Sequence, residues 1–232
     1  MRSRSILKSF AAVVGGLVLL VGGLWALGRL LSDRDALYRG RSSFDWSERV
    51  TNGPPAVRNE ALEVIRQEVV PGLIRCILTD TNDSATILAL AEGLNRLPGL
   101  DVHHVDALGR RIQAVHELSL FGTDAAAAIP LLTDWVRRDD ENFCEAAAQV
   151  LPGMGADAAV LVPLLIARLT NSLGQGRSVM VEALGEYGTN ARAAVPNLIG
   201  LLGDRSSKEI RWTVPKALQA IDPEAAERAG IK

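Results

Sequence analysis

All three histidines of the chain lie within one short stretch, and they are the residues best suited to bind a metal. His103 and His104 are followed by His116, and Asp101 and Asp106 lie beside the first two. Imidazole and carboxylate groups bind zinc and iron, but a site needs three or four ligands that converge in space. His103 and His104 are neighbours, and neighbouring side chains on a helix point in different directions. The spacing therefore favours the polar start of a helix, capped by Asp101 or Asp106, over a metal site.

Residues for other chemistry are equally sparse. Cys76 and Cys144 are too few for a disulfide framework or a zinc site, and we expect both to be buried, unpaired, apolar residues. The sequence contains no glycine-rich phosphate loop, HExxH motif or GxSxG motif. It therefore predicts no catalytic residue, no cofactor and no bound metal.

The distribution of charge argues against one class of partner. The chain has 25 basic and 27 acidic side chains, for a net charge of −2. Residues 1–31 contain four basic and no acidic side chains, so residues 32–232 contain six more acidic than basic ones. Nucleic-acid binding requires a basic surface that displaces counterions from phosphates. We therefore expect no nucleic-acid partner. Because 48% of the residues are hydrophobic but only 4% are aromatic, we expect an aliphatic core.

Residues 1–31 are predicted to form a basic tail and one transmembrane helix. The run at residues 9–28 is uncharged, and a helix of twenty residues spans about 30 Å, the thickness of the hydrocarbon core. The alternative is a secretory signal peptide that is cleaved near residues 26–28. Signal peptides usually have an apolar segment of about 7–15 residues, whereas residues 10–27 give eighteen, which favours an uncleaved anchor.

Basic residues flank the predicted span on both sides, so the positive-inside rule leaves its orientation nearly balanced. Three precede the span and four follow it: Arg2, Arg4 and Lys8, then Arg29, Arg34, Arg39 and Arg41. A leading tail of eight residues without an acid is easily retained in the cytoplasm. We therefore predict a single-pass protein of the cell membrane. Its residues 32–232 are expected outside the cytoplasm, in the periplasm of a bacterium with two membranes.

Residues 32–56 are predicted to be a linker between the anchor and the folded body. Glycines, serines and the pair Pro54–Pro55 interrupt any helical pattern there. Phe44 and Trp46 alternate with polar residues, which predicts that their rings pack onto the first helices of the body as a cap. The body itself is expected to cover residues 57–232.

The body repeats every 33 residues, which is the strongest pattern in the chain. Four positions keep this register over three repeats. They are Gly122, Gly155 and Gly188; Ala125, Ala158 and Ala191; Pro130, Pro163 and Pro196; and Leu132, Leu165 and Leu198. Each repeat contains two helices by its apolar periodicity. The proline-containing helix comes first, and the second is predicted at residues 142–152, 176–187 and 208–221.

A glycine turn joins each repeat to the next. Glycine ends a helix in the left-handed conformation without a Cβ clash, so we predict positive φ at Gly155 and Gly188. The Asp or Asn two residues later is predicted to cap the following helix. Asp222 takes this role in a fourth copy of the turn, where proline occupies the first helical position. The repeat proline is predicted either to bend its helix or to begin the straight part of it.

Two strings in these repeats resemble HEAT-like repeats of the short class found in phycobilisome-lyase-type proteins. They are AAVPNLI at residues 193–199 and KALQAIDPEAA at residues 216–226. The resemblance is clear over residues 122–226 and looser over 57–121. It implies an all-α fold for residues 57–232, an α-solenoid of antiparallel helix pairs whose second helices line a concave face.

The resemblance also implies a ladder of side-chain pairs. In that family an Asp on the turn between the two helices pairs with an Arg early in the second helix. Two pairs match this pattern, namely Asp204 with Arg211 and Asn171 with Arg177, whereas Arg138 and Cys144 break it one repeat earlier. Arg177 and Arg211 are therefore predicted to be structural, with anion binding as the alternative.

Two functions remain for such a chain. A membrane-anchored scaffold that mediates a protein–protein interaction, without catalysis, is favoured because repeat stacks offer long surfaces and no preformed catalytic pocket. The alternative is an enzyme or enzyme accessory, metal-binding or lyase-like, that uses the His103/His104/His116 region. The pair His116–Glu117 resembles the metal-binding pairs of HEAT-repeat deoxyhypusine hydroxylases, but the equivalent positions of the next two repeats lack histidine. The identity of the protein partner, the binding face and the oligomeric state stay open at this point.

Overall fold

A computed structural model describes residues 37–81, 83, 89, 92–96, 105–140, 142–171, 174–204 and 208–231. The fold of this part is helical, and its only strand-like pairing is an isolated bridge between Tyr38 and Arg41. The α-helices are α1 (Ser43–Asn52), α2 (Pro55–Val64), α3 (Val70–Thr79), α4 (Ala107–Ser119), α5 (Ile129–Arg138), α6 (Cys144–Val150), α7 (Ala158–Asn171), α8 (Gly174–Glu186), α9 (Val195–Leu201), α10 (Lys208–Ile221) and α11 (Pro223–Arg228). A π-helical segment, Ile65–Val69, joins α2 to α3, and two 3-10 helices, Gly122–Ala128 and Gly188–Ala194, lead into α5 and α9. The prediction of an all-α fold is confirmed for the described residues.

The predicted transmembrane segment, residues 9–28, lies outside the described residues, and so do His103 and His104. In the part of the chain that is described, no helix combines the length and the apolar character needed to cross a membrane. The anchor therefore stays a prediction from the sequence.

The chain divides into two compact units. The smaller contains residues 1–37 and 81–109, and the larger contains residues 38–80 and 110–232. In the smaller unit, Asp83 Oδ2 accepts a hydrogen bond from the Ala107 backbone N–H at 3.0 Å. Asp106 Oδ1 accepts another from the Gly109 N–H at 2.7 Å, so Asp106 caps the start of α4 as predicted. The features described below belong to the larger unit.

The segment predicted to be a linker contains helix α1, so the expectation of no helix there was wrong. Ser42 and Asp45 form a capping box, in which each side chain accepts a hydrogen bond from the other residue's backbone N–H at 3.1 Å. Trp46 packs as predicted and is only 2% exposed, and its indole N–H donates to the Tyr38 carbonyl at 2.9 Å. Phe44 is 64% exposed, which corrects the expectation that both rings pack inward. On a helix of 3.6 residues per turn, residues two positions apart lie on opposite sides of the axis, so only one of the two rings faces the core.

The glycine turns between repeats confirm the predicted left-handed backbone. Gly122, Gly155 and Gly188 have φ of +50°, +80° and +53°. The chain then continues in two ways. After Gly122 and Gly188 it forms a 3-10 helix, and the repeat proline begins the α-helix that follows. After Gly155 it enters α7 directly, and Pro163 lies inside that helix. The prediction that the proline begins the helix is therefore confirmed at Pro130 and Pro196, whereas Pro163 lies within its helix.

The predicted caps after these turns are present at two of the four positions. Asp157 accepts from the Ala159 N–H at 2.9 Å, and Asp222 accepts from the Ala225 N–H at 3.0 Å. Asp124 instead pairs with Arg66 at 2.6 Å, and the 3-10 helix at Asn190 begins without a side-chain cap. A 3-10 start explains the difference, because its first N–H groups turn back onto the preceding carbonyls.

Aliphatic and small side chains fill the core between the repeats, as expected. The repeat leucines Leu132, Leu165 and Leu198 are completely buried. Helix α8 packs against α6, α7 and α10, so consecutive second helices lie side by side. α8 and α10 approach closely, because a Cβ atom added at Gly185 would lie 3.3 Å from Ala217. The second helices α6, α8 and α10 fall within two residues of the predicted starts and ends.

Ion pairs join each repeat to the next. The Arg177 guanidinium on α8 donates to Asp204 Oδ2 at 2.7 Å, and Asp204 follows α9 in the next repeat. Two further pairs of this kind are Arg168 with Asp139 at 2.6 Å and Arg110 with Asp80 at 2.7 Å. Where the sequence predicts Asp204 with Arg211, the structure therefore pairs Asp204 with Arg177. Asp204 therefore pairs with an arginine of the preceding repeat, whereas Asp139 and Asp80 pair with arginines that follow them in the chain.

Candidate protein-binding groove

The second helices present equivalent positions of successive repeats next to one another. His116 on α4 and Gln149 on α6 are 33 residues apart, and the His116 Nε2 lies 3.3 Å from the Gln149 Oε1. Glu182 on α8 follows 33 residues later and Lys216 on α10 after a further 34. All four side chains are exposed. We call this line the second-helix row.

His116 thus takes a place in that row. Within the described residues, no three His, Cys, Asp or Glu side chains are arranged to hold a metal ion. Because His103 and His104 lie outside these residues, the structure does not test a site made from all three histidines. The metal-binding alternative stays a prediction.

A groove of about 450 Å³ lies at the C-terminal end of the second-helix row, between α8 and α10. It is lined by Glu182, Gly185 and Glu186 on α8 and by Trp212, Thr213, Lys216, Ala217 and Ala220 on α10. The groove forms where the two helices come closest, because the contact is made by Gly185 and Ala217. Longer side chains on either side of this contact form the walls.

Trp212 is the most distinctive residue of the groove. Its side chain is 80% exposed, more than any other large hydrophobic side chain of the described residues. Helix α10 anchors itself through Ile210, Val214, Leu218 and Ile221, which are all buried. Position 212 lies off this apolar stripe, so the ring faces away from the core. An exposed tryptophan in a groove is typical of a surface that binds a partner.

Two carboxylates give the groove its charge. Glu182 and Glu186 are one helical turn apart on α8, and Lys216 faces them from α10. Burial raises the pKa of Glu186, the charge of Glu182 raises it further, and Lys216 lowers it. Among the described residues, none of the three forms an ion pair within 4 Å. The groove therefore carries one uncompensated negative charge beside an exposed indole.

No motif or repeat position in the sequence indicates this groove, and neither Glu182 nor Trp212 belongs to a predicted site. The available signal was the helical stripe of α10, since a tryptophan at a position outside the apolar stripe has no core to enter. The closeness of α8 and α10 depends on Gly185 and Ala217, two small residues that no spacing rule marks as a contact.

The two cysteines have the properties of structural residues. Both are unpaired, as predicted. Cys144 is buried, and burial together with the charge of Asp139 raises the pKa of its thiol to about 11. Cys76 is only half-buried, which corrects the expectation that both cysteines are buried, although burial still raises the pKa of its thiol. Neither thiol is activated as a nucleophile.

No family model matches the chain, and a search of curated proteins finds no match to it. The repeat pattern and the groove are therefore the observations on which a function is argued.

Proposed function

We propose that this chain is a membrane-anchored scaffold whose HEAT-like repeats form an α-solenoid and bind a protein partner. The observation that carries the proposal is Trp212, which is 80% exposed in the groove between α8 and α10. Exposing an indole is unfavourable in water, and a protein partner that covers it recovers that free energy. Tryptophan is also among the residues that contribute most at protein interfaces.

Binding is favoured over catalysis by what the groove contains. Its one hydroxyl group, on Thr213, already donates to the Glu209 carbonyl at 3.0 Å. In the described part of the chain, the groove brings together no nucleophile and base in hydrogen-bond contact. What it does offer is an aromatic face with charged neighbours, which suits recognition of a side chain.

The stacking of the second helices supports an extended binding surface. Direct contact between His116 and Gln149 shows that neighbouring repeats align equivalent residues, and the groove continues that alignment to Lys216. Repeat proteins use such a surface to bind long segments of a partner. The membrane anchor at residues 9–28 would hold this surface near the bilayer.

Site-specific photo-cross-linking in native membranes tests the proposal. A photoreactive phenylalanine analogue at Ala220 lies in the groove and leaves Trp212 intact, whereas the same analogue at Ile199 occupies an exposed site on α9. We expect one discrete protein adduct from position 220 and none from 199. Adding Trp212→Ala should abolish the adduct. Equal adducts from both positions, or an adduct that survives Trp212→Ala, would contradict the proposed function.

The location is tested separately by protease treatment of spheroplasts. We expect residues 32–232 to be digested while cytoplasmic markers stay intact, because the short basic tail is predicted to remain in the cytoplasm. Protection of the body until the membrane is ruptured would place the scaffold on the cytoplasmic side instead.

A further inference from the structure

The indole of Trp212 offers a π face that no cation of the described residues covers. A tryptophan ring attracts a cation placed over its face more strongly than any other side chain does. Elsewhere in the larger unit the chain supplies such cations itself. The Arg49 guanidinium lies 5.6 Å from the Trp46 ring, and the Arg111 guanidinium lies 4.5 Å from the Phe143 ring. At Trp212, by contrast, no guanidinium of the described residues lies over the ring.

The carboxylates of the groove fit the same cation. Glu182 and Glu186 are four residues apart on α8, which places their Cβ atoms about 5–6 Å from each other. A guanidinium is planar and carries five N–H donors, so it can bind a carboxylate and stack on an aromatic ring at the same time. Because burial and the charge of Glu182 both disfavour the charged form of Glu186, a cation between the two carboxylates relieves an unfavourable interaction that already exists.

We propose that the groove between α8 and α10 binds an arginine side chain of the protein partner, stacked on Trp212 and hydrogen-bonded to Glu182 and Glu186. The proposal rests on the scaffold function and names the chemistry of its partner. Arginine is favoured over lysine because the ammonium group lacks the planar face that stacks on the indole. The acidic excess of residues 32–232 would also attract a basic segment at longer range.

Lys216 limits what the groove accepts. It opposes the two carboxylates from α10 and leaves one net negative charge, so one guanidinium neutralises the site. A segment with two adjacent cations would meet repulsion from Lys216. This ammonium therefore selects for an isolated arginine, and removing its charge should strengthen binding rather than weaken it.

Three heptapeptides with one common alanine-glycine host test the proposal on the full chain in lipid nanodiscs. Their central residue is arginine, citrulline or glutamate, and citrulline has the shape of arginine without its charge. Binding is followed by the change in tryptophan emission, with Trp212→Phe as the control that removes the signal of this site. We expect the arginine peptide to bind about ten-fold tighter than the citrulline peptide.

The variants make the test specific. Glu182→Gln together with Glu186→Gln should remove most of the difference between the arginine and citrulline peptides, and Lys216→Gln should tighten arginine binding about three-fold. Equal binding of arginine and citrulline, tighter binding of the glutamate peptide, or no emission change up to about 10 mM peptide would each overturn the inference.

This outcome is separable from that of the proposed function. Cross-linking from Ala220 reports whether a partner occupies the groove at all, whatever its chemistry. If an adduct forms but its linked segment contains no arginine, the scaffold function stands and the arginine inference fails. If the arginine peptide binds but no adduct forms in membranes, the scaffold function fails instead.

Discussion

Trp46 is 2% exposed and Trp212 is 80% exposed, although both lie on helices of the same compact unit. Around Trp46 the chain provides a hydrogen-bond acceptor for the indole N–H and cations close to the ring. The Tyr38 carbonyl accepts its N–H, and guanidinium groups of Arg41 and Arg49 lie within 6.0 Å of its ring. Around Trp212 the described residues provide carboxylates but no covering cation. The indole of Trp46 is therefore buried and hydrogen-bonded, whereas among the described residues no guanidinium covers the ring of Trp212.

The two tryptophans differ in role, because one contributes to the stability of the fold and the other is available for binding. A residue whose contacts are all made within the chain can be explained by folding alone. A residue of the same type that lacks such contacts leaves its surface available to another molecule. The two regions therefore predict opposite responses to the same kinds of substitution.

The largest contrast is expected from removal of each indole. Trp46→Ala should lower the free energy of unfolding by about 3–5 kcal/mol, because it leaves a cavity and removes one of the two hydrogen bonds that the Tyr38 carbonyl accepts. Trp212→Ala should change it by less than about 0.5 kcal/mol, because the ring makes few contacts. Urea unfolding of the full chain, followed by circular dichroism, measures both. Similar losses in the two variants would erase the distinction between the regions.

A second contrast comes from adding one methyl group in each region. A Cβ atom at Gly72 would lie 2.4 Å from Cε1 of the Tyr38 ring, so Gly72→Ala must displace that ring and should cost about 1–3 kcal/mol. A Cβ atom at Gly185 meets Ala217 at 3.3 Å, and small helix shifts absorb it. Gly185→Ala should stay within about 1 kcal/mol of the natural chain, since alanine also favours the helix. Thermal unfolding of the two variants makes the comparison.

Gly185→Ala has a further use at the groove. The added methyl group fills space between α8 and α10, so it should weaken the arginine peptide while leaving stability nearly unchanged. If Gly185→Ala proved the more damaging of the two glycine variants, the close contact of α8 and α10 would be a stability device rather than the base of a binding groove.

The smallest contrast concerns pH. The charge of Asp45 stabilises the fold, whereas the charge of Glu186 destabilises it. Hydrogen bonds with Ser42 lower the pKa of Asp45, so its contribution to stability is present above the ordinary value of 3.8 and is lost as the pH falls through its folded value. Burial raises the pKa of Glu186, so its charge opposes folding at neutral pH, and this penalty disappears as the pH falls through the raised value toward 4.5.

Melting midpoints between pH 7 and pH 3 test these signs. Asp45→Asn should melt lower than the natural chain at pH 7 and approach it at pH 3. Glu186→Gln should melt at the same temperature or slightly higher at pH 7, with the gain disappearing in acid. A lower midpoint of Glu186→Gln at pH 7 would show that this carboxylate serves the fold and would remove one reason to assign it to a partner.

The sequence predicted those features that depend on local backbone chemistry. Gly155 and Gly188 adopt positive φ because few other residues can end a helix that way, and this requirement is visible in the repeat. The positions of the second helices were predicted in the same way, from the periodicity of apolar residues. Helix α1 was missed although its capping box, Ser42 with Asp45, is present in the sequence, because nearby glycines and prolines suggested a linker.

The groove could not be predicted in the same way. Its shape depends on how closely α8 and α10 approach, and its charge depends on which side chains of two different repeats meet across that contact. The ladder shows the same limit. The residues that pair were recognisable by type, but the choice of Arg177 over Arg211 as the partner of Asp204 is decided by how neighbouring repeats stack.

The high pKa of the Cys144 thiol makes this residue slow to react with labelling reagents. Because the pKa of the Cys144 thiol is raised to about 11, this thiol is almost entirely protonated at pH 7, and maleimides react with the thiolate. An exposed cysteine introduced by Ala220→Cys would have a pKa near the ordinary value of about 8.5 and react far faster. A fluorophore can therefore be attached at the groove of a Cys76→Ser chain without also removing Cys144. Its emission would then report occupancy of the groove in real time on intact membranes.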